Sequence, residues 1–158
     1  MRVMSPTASA KACLRGRLRL VTAGGEERLA PNSVLQGGAD LVAKLFAGQL
    51  TTPIDRINVG FGTEPLEPTG SALRPGTNDP STLTGPVGAA DCTVTADDDF
   101  VRVSITATFT PTVALDGVTE AGLGAGDVLY NQVLFDPVRL EAGQAVSFFW
   151  EIDFPYGH

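Results

Sequence analysis

The sequence predicts a mainly β domain: an antiparallel β-sandwich of about seven strands with one α-helix over residues 34–47. Apolar residues at every second position are typical of half-buried strands, and residues 145–154 and 100–110 both show this alternation. The chain also has 18 Gly and 11 Pro, as many turns between short strands would require. Strand and helix do not alternate along the chain, which argues against a parallel doubly wound sheet.

The N-terminal third begins with a polar stretch, residues 1–11, predicted to be a flexible arm preceding a single domain of residues 12–158. Residues 13–22 and 27–30 are predicted to form a hairpin. Asn32 or Ser33 is the candidate N-cap of the helix, and Gly48 lies where a C-cap glycine belongs. The predicted apolar stripe of the helix consists of Leu35, Ala39, Val42, Leu45 and Phe46. Gly37 and Gly38 weaken the helix by about 1 kcal/mol each relative to alanine, which is tolerable if a neighbouring backbone packs close.

The remainder of the chain contains the other predicted strands. They cover residues 54–63, 91–96, 100–110, 118–123, 127–136 and 145–154. Residues 64–90 are rich in Pro and Gly and are predicted to be a long loop, a kind of segment that is usually functional or mobile. In the last strand, Val146, Phe148, Trp150, Ile152 and Phe154 share one face. Because aromatic residues bury the most apolar area, this face is predicted to form the centre of the core.

Charge and composition limit the possible partners. The net charge is −7, which argues against nucleic acid as the main partner because phosphate binding needs a basic surface. No apolar run approaches the roughly 18 residues of a membrane helix, and no secretory h-region is visible. We therefore expect cytoplasmic synthesis and no membrane insertion. Cys13 and Cys92 are predicted to be free thiols packed as small apolar groups, with a Cys13–Cys92 disulfide as the alternative.

A search for catalytic or ligand-binding patterns finds little. The one histidine, His158, is the last residue, which argues against a Ser–His–Asp or Cys–His system. Glu120 and Glu151 are a candidate acid pair, but nothing in the sequence brings them together, and Glu120 is expected to bond a neighbouring backbone or Arg. Gly60 and Gly62 lack the remainder of a phosphate loop and instead suggest close approach of another segment. The sequence thus predicts no enzyme, no cofactor and no metal.

Two further patterns concern charged residues. Asp97, Asp98 and Asp99 do not follow the spacing of a calcium loop and are interpreted as an acidic turn between strands, with a bound cation as the alternative. Six of the 11 basic residues lie within residues 1–28.

Three of these basic residues, Arg15, Arg17 and Arg19, share one strand face, which is either a solvated outer face or a patch for an acidic partner. With Arg74 in the long loop and Tyr156 after the last strand, they form the candidate partner interface.

Five motifs follow one another along the chain: Asn32 to Gly48, Ile54 to Thr63, Thr119 to Leu123, Val128 to Val138, and Val146 to Phe154. In this order, spread over residues 12–154, they resemble those of small phage tail structural proteins. The ending, Phe149 to Gly157, is also similar to small proteins that accompany phage-derived contractile injection systems. A helix motif is followed by a strand motif with a Pro/Thr/Gly-rich loop, then by an "EAGL" strand and two closing strands. Gly124 stands where the tail proteins commonly have Phe after the leucine.

This resemblance implies a β-sandwich structural subunit of a phage tail or contractile injection particle, present in several copies and assembled in the cytoplasm. Its partners would be further copies of itself and other tail or particle subunits. The alternative is a receptor- or carbohydrate-binding β-sandwich module on a fibre or baseplate. Exposed aromatics would then line a concave site, and Tyr130, Trp150 and Tyr156 are the candidates, although Trp150 belongs to an inward-facing series.

Overall fold

The computed structural model describes residues 14–157, which form ten β-strands and one α-helix. The helix, α1, is Gln36–Phe46. The strands are β1 (Arg15–Val21), β2 (Glu27–Val34), β3 (Arg56–Gly60), β4 (Thr84–Pro86), β5 (Cys92–Ala96), β6 (Phe100–Phe109), β7 (Leu115–Ala125), β8 (Val128–Leu129), β9 (Asn131–Leu140) and β10 (Val146–Pro155). The predicted arm of residues 1–11, together with Cys13 and His158, lies outside the described residues.

The strands pair antiparallel in one sheet, in the order β4-β3-β7-β9-β2-β1-β10-β6-β5, with β8 paired to β7. Strand β2 joins the two halves of the sheet, because residues up to Pro31 pair with β1 whereas Asn32 to Val34 pair with β9. The sheet curls until β4 lies beside β6. A Cβ added to Gly85 would be only 3.0 Å from the ring of Phe109. The curled sheet therefore encloses its own apolar face.

The core is centred on β10, as the sequence predicted. Phe148 and Trp150 are 0% and 1% exposed, and their ring centroids are 6.2 Å apart. On one side they are opposite Leu20 and Leu18 of β1, and on the other side β6 supplies small or branched residues. Burial of each large side chain contributes roughly 1.5–3 kcal/mol. The predicted inward series is confirmed from Val146 to Ile152, and Phe154 is half-buried.

The mainly β class with one helix is confirmed for residues 14–157. The prediction of about seven strands in a sandwich missed the short strand β4, ended β2 at residue 30 and did not separate β8 from β9. It also missed that one curled sheet supplies both layers. Short strands carry too few residues to show a period of two. None of the helices in the described part of the chain is long and apolar enough to span a bilayer.

Helix α1 begins two residues later than predicted, at Gln36. The predicted N-caps, Asn32 and Ser33, are wrong, because both residues pair with β9 and belong to β2. Leu35 is the N-cap, and no side chain caps the helix there. Gly48 has φ +72°, which confirms it as the C-terminal glycine.

The buried stripe of α1 also differs from the prediction. Gly38 and Leu41 are buried, and Val42 and Leu45 are half-buried, whereas Ala39 and Phe46 face solvent. Phe46 is 94% exposed. The stripe is rotated because Gly38 lies against the backbone of Tyr130, where a Cβ would meet the carbonyl oxygen at 2.1 Å. Periodicity alone favoured the larger apolar side chains, but the glycine permits the closer approach.

The long loop, residues 64–90, is more ordered than predicted. It contains a 3-10 turn at Pro80–Leu83, the strand β4 and a second 3-10 turn at Ala89–Asp91. The Asp79 carboxylate accepts the backbone N–H of Ser81 at 2.9 Å and caps the first turn. Leu83 and Val87 are 4% and 6% exposed, so two apolar side chains anchor the segment to the core.

Candidate functional site

The three β1 arginines occupy one outer face of the sheet and are exposed. Arg15 is directly opposite Asp153 of β10, Arg17 is opposite Glu151, and Arg19 is opposite Phe149. This alternation follows from the period of two in each strand, which places the polar set of β10 on the same face as the polar set of β1. We call the exposed side of β1, β10 and β6 the arginine face.

Acidic side chains neutralise much of the arginine face. Arg17 is 2.8 Å from Glu151, and the second oxygen of Glu151 is 2.7 Å from Arg102 of β6. Arg102 also donates to Asp153 at 2.7 Å. Arg19 pairs with Glu27 at 3.1 Å and lies 5.3 Å from the ring centroid of Phe149. The face is therefore a connected network of both charge signs rather than a purely basic patch.

The centre of this network is the pair between Arg102 and Asp153. The hydrogen bond from Arg102 holds the pKa of Asp153 below its ordinary value of 3.8, and the same bond raises the pKa of Arg102. Partial burial of both groups opposes these shifts. Both side chains consequently stay charged at neutral pH, and the arginine face keeps its charge pattern.

Replacing Asp153 with Asn should lower the free energy of unfolding by about 1 kcal/mol at pH 7, because it removes a charge-assisted bond at a partly exposed site. A carboxyl group whose pKa is lower in the folded protein than in the unfolded chain stabilises the fold at pH values above its unfolded-state pKa. This stabilisation is lost as the pH falls through the folded-state pKa. The difference between wild type and Asp153→Asn should therefore be full above pH 3.8 and shrink below it. Urea unfolding as a function of pH measures this difference.

The matched control is Asp116→Asn. Asp116 is 79% exposed and pairs with Arg139 at 3.7 Å. We expect a change of about 0.3 kcal/mol or less, as for most exposed ion pairs. A loss at Asp153 that persists unchanged at pH 2 would contradict the assignment to its charged form.

The second feature is a buried carboxylate, Glu120 of β7, which is 0% exposed. One oxygen accepts the backbone N–H of Gly62 at 2.9 Å and that of Arg74 at 2.7 Å. The other accepts the side-chain amide of Gln132 at 2.8 Å. No cationic side chain pairs with Glu120 within residues 14–157. Hydrogen bonds from neutral donors alone therefore offset the cost of removing this carboxylate from water. The expectation that Glu120 bonds a neighbouring backbone is confirmed.

Glu120 and Gln132 fasten the start of the long loop. The side-chain amide oxygen of Gln132 accepts the backbone N–H of Leu66 at 2.8 Å. The backbone carbonyl of Arg74 accepts the backbone N–H of Phe61 at 2.9 Å. A Cβ on Gly62 would lie 2.7 Å from Glu120, which confirms that the strand glycines allow close approach. Glu151 lies on the arginine face, not beside Glu120, so the two carboxylates do not form an acid pair.

The remaining predicted interface residues, Arg74 and Tyr156, lie outside strand β1. Arg74 is exposed on the loop that is fastened over β3 and β7, at the other end of the strand order. Tyr156 is 52% exposed beside the turn between β5 and β6. Its hydroxyl donates to the carbonyls of Asp97 and Asp98, and its N–H donates to the carbonyl of Asp99 at 3.0 Å. The structure thus separates Arg74 from the β1 arginines along the sheet order, and places Tyr156 just after the end of β10.

The acidic segment at Asp97, Asp98 and Asp99 is the predicted turn between strands, connecting β5 to β6. Within residues 14–157, no three His, Cys, Asp or Glu side chains are arranged to hold a metal ion. Within residues 14–157, Cys92 has no disulfide partner, and the pKa of this half-buried thiol is raised by burial and by Asp91. Cys13 lies outside the described residues, so the structure does not test the Cys13–Cys92 alternative.

The aromatic residues proposed for a carbohydrate site do not gather at the surface. Tyr130 and Trp150 are 4% and 1% exposed. Burial raises the pKa of Tyr130 to about 12. Of the three candidates, Tyr156 alone is exposed, so these residues cannot form a stacking platform for a sugar ring.

Sequence reasoning missed an apolar groove between α1 and the inner faces of β5, β6 and β10. Its volume is about 440 Å³, and we call it the α1 groove. Val42 and Leu45 of α1, Val94 of β5 and Phe154 of β10 are among its lining residues. The alternation of Cys92 and Val94 in a short strand was the available signal, but it could not show that the strand lies at the sheet edge.

Comparison with known proteins returns no match: no protein-family model, curated protein or solved structure matches the chain. The resemblance to phage tail proteins therefore stays a prediction from the sequence motifs. Function has to be inferred from the surfaces described above.

Proposed function

We propose that this protein is a non-enzymatic structural subunit of a phage tail or of a phage-tail-like contractile injection particle. It assembles in the cytoplasm with further copies of itself and with other particle subunits. The contacts are made by the N-terminal arm, the arginine-bearing strand β1 and the long loop of residues 64–90. The five ordered sequence motifs suggest the particle, and the arginine face is the observation that supports assembly through β1.

The arginine face has the properties of a preorganised protein interface. Arg17 is held by Glu151, and Arg19 is held by Glu27 and the ring of Phe149. Arginine and aromatic residues are enriched at protein interfaces. Side chains that are already fixed lose less conformational entropy on binding than free ones. A face with both charge signs in a fixed pattern favours a partner with the complementary pattern, which gives specificity rather than general adhesion.

The long loop supports the same function for a different reason. Glu120 accepts N–H groups from both Gly62 and Arg74, so the loop leaves and returns to the sheet at fixed points. The exposed residues between these points, and Arg74 itself, are thereby presented in one geometry. Repeated copies of a rigid loop in a symmetric assembly give many equivalent contacts, and weak contacts add up.

Reversing two charges on the arginine face tests the proposal. The variant Arg17→Glu/Arg19→Glu in the full chain should raise the dissociation constant for self-association at least about tenfold, because each substitution puts a negative charge where the partner would contact a positive one. Light scattering after size-exclusion chromatography measures the assembled mass. Co-purification with tail or injection particles measures incorporation.

The matched control is Arg139→Glu, since Arg139 is a 49% exposed arginine of β9 that lies off the arginine face. It should leave assembly unchanged, and thermal unfolding of both variants checks that each remains folded. A wild-type chain that stays monomeric and is absent from purified particles would overturn the proposed function. Equal loss of assembly in the control would overturn the role of the arginine face.

A further inference from the structure

The α1 groove is open to solvent although nearly all of its lining is apolar. Leu41, Val42 and Leu45 form one wall, and Val103 and Phe154 form part of the other. Val94 of β5 lies at its rim and is 71% exposed. Exposed apolar surface concentrated at one groove marks a binding site more often than scattered apolar residues do.

The groove also contains an unsatisfied polar group. Tyr130 lines it and is 4% exposed, and its hydroxyl has no hydrogen-bond partner among the described residues. Buried hydroxyl groups in native proteins almost always have a partner. An occupant that offers hydrogen-bonding groups along with apolar side chains would suit this site. A peptide does so through its backbone, whereas a hydrocarbon chain does not.

The free edge of β5 borders the same groove. β5 is the last strand in the sheet order, so its backbone on the side away from β6 is unpaired within the described sheet. Its sequence, Cys-Thr-Val-Thr-Ala, contains none of the Lys or Pro residues that commonly protect edge strands. An edge strand beside a groove is the geometry of strand addition, in which the peptide backbone pairs with the edge and alternate side chains enter the groove.

A second copy of β5 is a poor occupant of this edge. Antiparallel pairing centred on Val94 would place Asp91 of one copy opposite Asp97 of the other. Like charges directly opposite each other on neighbouring strands are destabilising. The acidic residues at both ends of β5 instead favour an extended segment that carries basic residues and no acidic ones.

Residues 1–13 of this chain have that composition. The segment, Met-Arg-Val-Met-Ser-Pro-Thr-Ala-Ser-Ala-Lys-Ala-Cys, contains Arg2 and Lys11 and no Asp or Glu. Its apolar residues include Val3 and Met4, and methionine adapts to irregular apolar sites. At about 3.3 Å per residue, 13 residues could span roughly 43 Å in extended form, more than the length of β5.

We propose that the α1 groove and the free edge of β5 receive residues 1–13 of a neighbouring copy of this chain, which pair with β5 as an added strand. This inference rests on the proposed function, because it requires several copies in contact. It assigns an acceptor surface to the N-terminal arm.

A neighbouring copy is favoured over the same chain because of where β1 begins. Arg15 pairs with Asp153, and the route from there to the free edge of β5 crosses the ends of β10 and β6. Residues 155–156 cover that end of the sheet, with Tyr156 bonded to Asp99 and to the turn before it. A segment from another copy can approach the edge from solvent.

The test places a photo-crosslinking amino acid at Ala8 in the full chain. Unlabelled and ¹⁵N-labelled copies are mixed in equal amounts, irradiated and analysed by mass spectrometry. The expected result is crosslinks from residue 8 to α1 or β5, with about half of them joining a labelled to an unlabelled copy, as random mixing requires. Crosslinks to this surface within single copies only would overturn the neighbouring-copy assignment.

A second variant links the crosslink to the edge of β5. Val94→Glu should reduce the crosslink yield at least about tenfold, because it places a charge in an apolar contact. Val113→Glu, at a 42% exposed valine outside the groove, is the matched control and should not change the yield. Assembly that persists without crosslinks to the groove would overturn this inference and leave the proposed function standing. A monomer would overturn both.

Discussion

Replacing Glu120 with alanine should lower the free energy of unfolding by about 3–5 kcal/mol, because three buried hydrogen-bond donors lose their acceptor. Glu120 accepts hydrogen bonds from the backbone N–H groups of Gly62 and Arg74 and from the side chain of Gln132. In the alanine variant these three donors have no acceptor, and the site is closed to solvent. Each unsatisfied buried donor costs about 1–3 kcal/mol.

The same substitution should loosen the long loop. The N–H groups of Gly62 and Arg74 mark its two fastened points, so both should exchange with deuterium faster in Glu120→Ala than in wild type. Phe61, which donates to the Arg74 carbonyl at 2.9 Å, should follow them. Amide exchange in the centre of β10 should change only as much as global stability changes, because that strand pairs with β1 and β6 and not with β7 or β9, which carry Glu120 and Gln132.

Two further variants help to interpret Glu120→Ala: one keeps the side-chain volume but removes an acceptor oxygen, and the other removes an exposed glutamate. Glu120→Gln keeps one oxygen acceptor but presents an N–H₂ group to a site that holds donors, so it should cost about 1–3 kcal/mol. Glu141→Ala removes an exposed glutamate from a surface pair with Arg139 and should cost less than about 0.5 kcal/mol. Urea unfolding measures the free energy of unfolding of all three variants, and the dependence of that free energy on urea concentration (the m-value) is compared with that of wild type. A cost below about 1 kcal/mol for Glu120→Ala would show that water replaces the carboxylate.

The sequence revealed features that repeat along the chain and missed those that depend on contacts between distant segments. The inward face of β10 was predictable because each of its large residues follows the same period of two. The arginine face was predictable for the same reason, but its neutralisation was not. Arg102 and Asp153 are 51 residues apart, and only the β6–β10 register places them side by side.

The position of α1 illustrates the same limit. Phe46 matched the helical period and was predicted to be buried, yet it is 94% exposed. The orientation of the helix is instead decided by Gly38, which approaches the carbonyl of Tyr130. The sequence suggested that a backbone packs near the two glycines, but it could not identify which backbone or which of the two glycines it approaches. The α1 groove was missed because it is formed by this packing.

Gly38→Ala should destabilise the protein by about 2 kcal/mol, although alanine is the better helix former by about 1 kcal/mol. The new Cβ would lie 2.1 Å from the carbonyl oxygen of Tyr130 and 2.8 Å from its ring. The carbonyl cannot move freely, because it also accepts the N–H of Leu35 at 3.0 Å at the start of α1. The helix must therefore shift away from the sheet. Because Tyr130 and α1 both line the α1 groove, the shift should also weaken arm binding there.

Gly37→Ala is the matched control for Gly38→Ala. A Cβ at Gly37 would lie 3.2 Å from the carbonyl oxygen of Leu129, which is tight but needs only a small adjustment. Both substitutions gain the same helix propensity and reduce the freedom of the unfolded chain equally, so these terms cancel in the difference between the variants. That difference, measured by thermal unfolding, reports the packing of Gly38 against Tyr130. We expect Gly37→Ala to remain within about 0.5 kcal/mol of wild type. Equal stability of the two variants would mean that α1 can move off the sheet at no cost, and that the groove is not held in one shape.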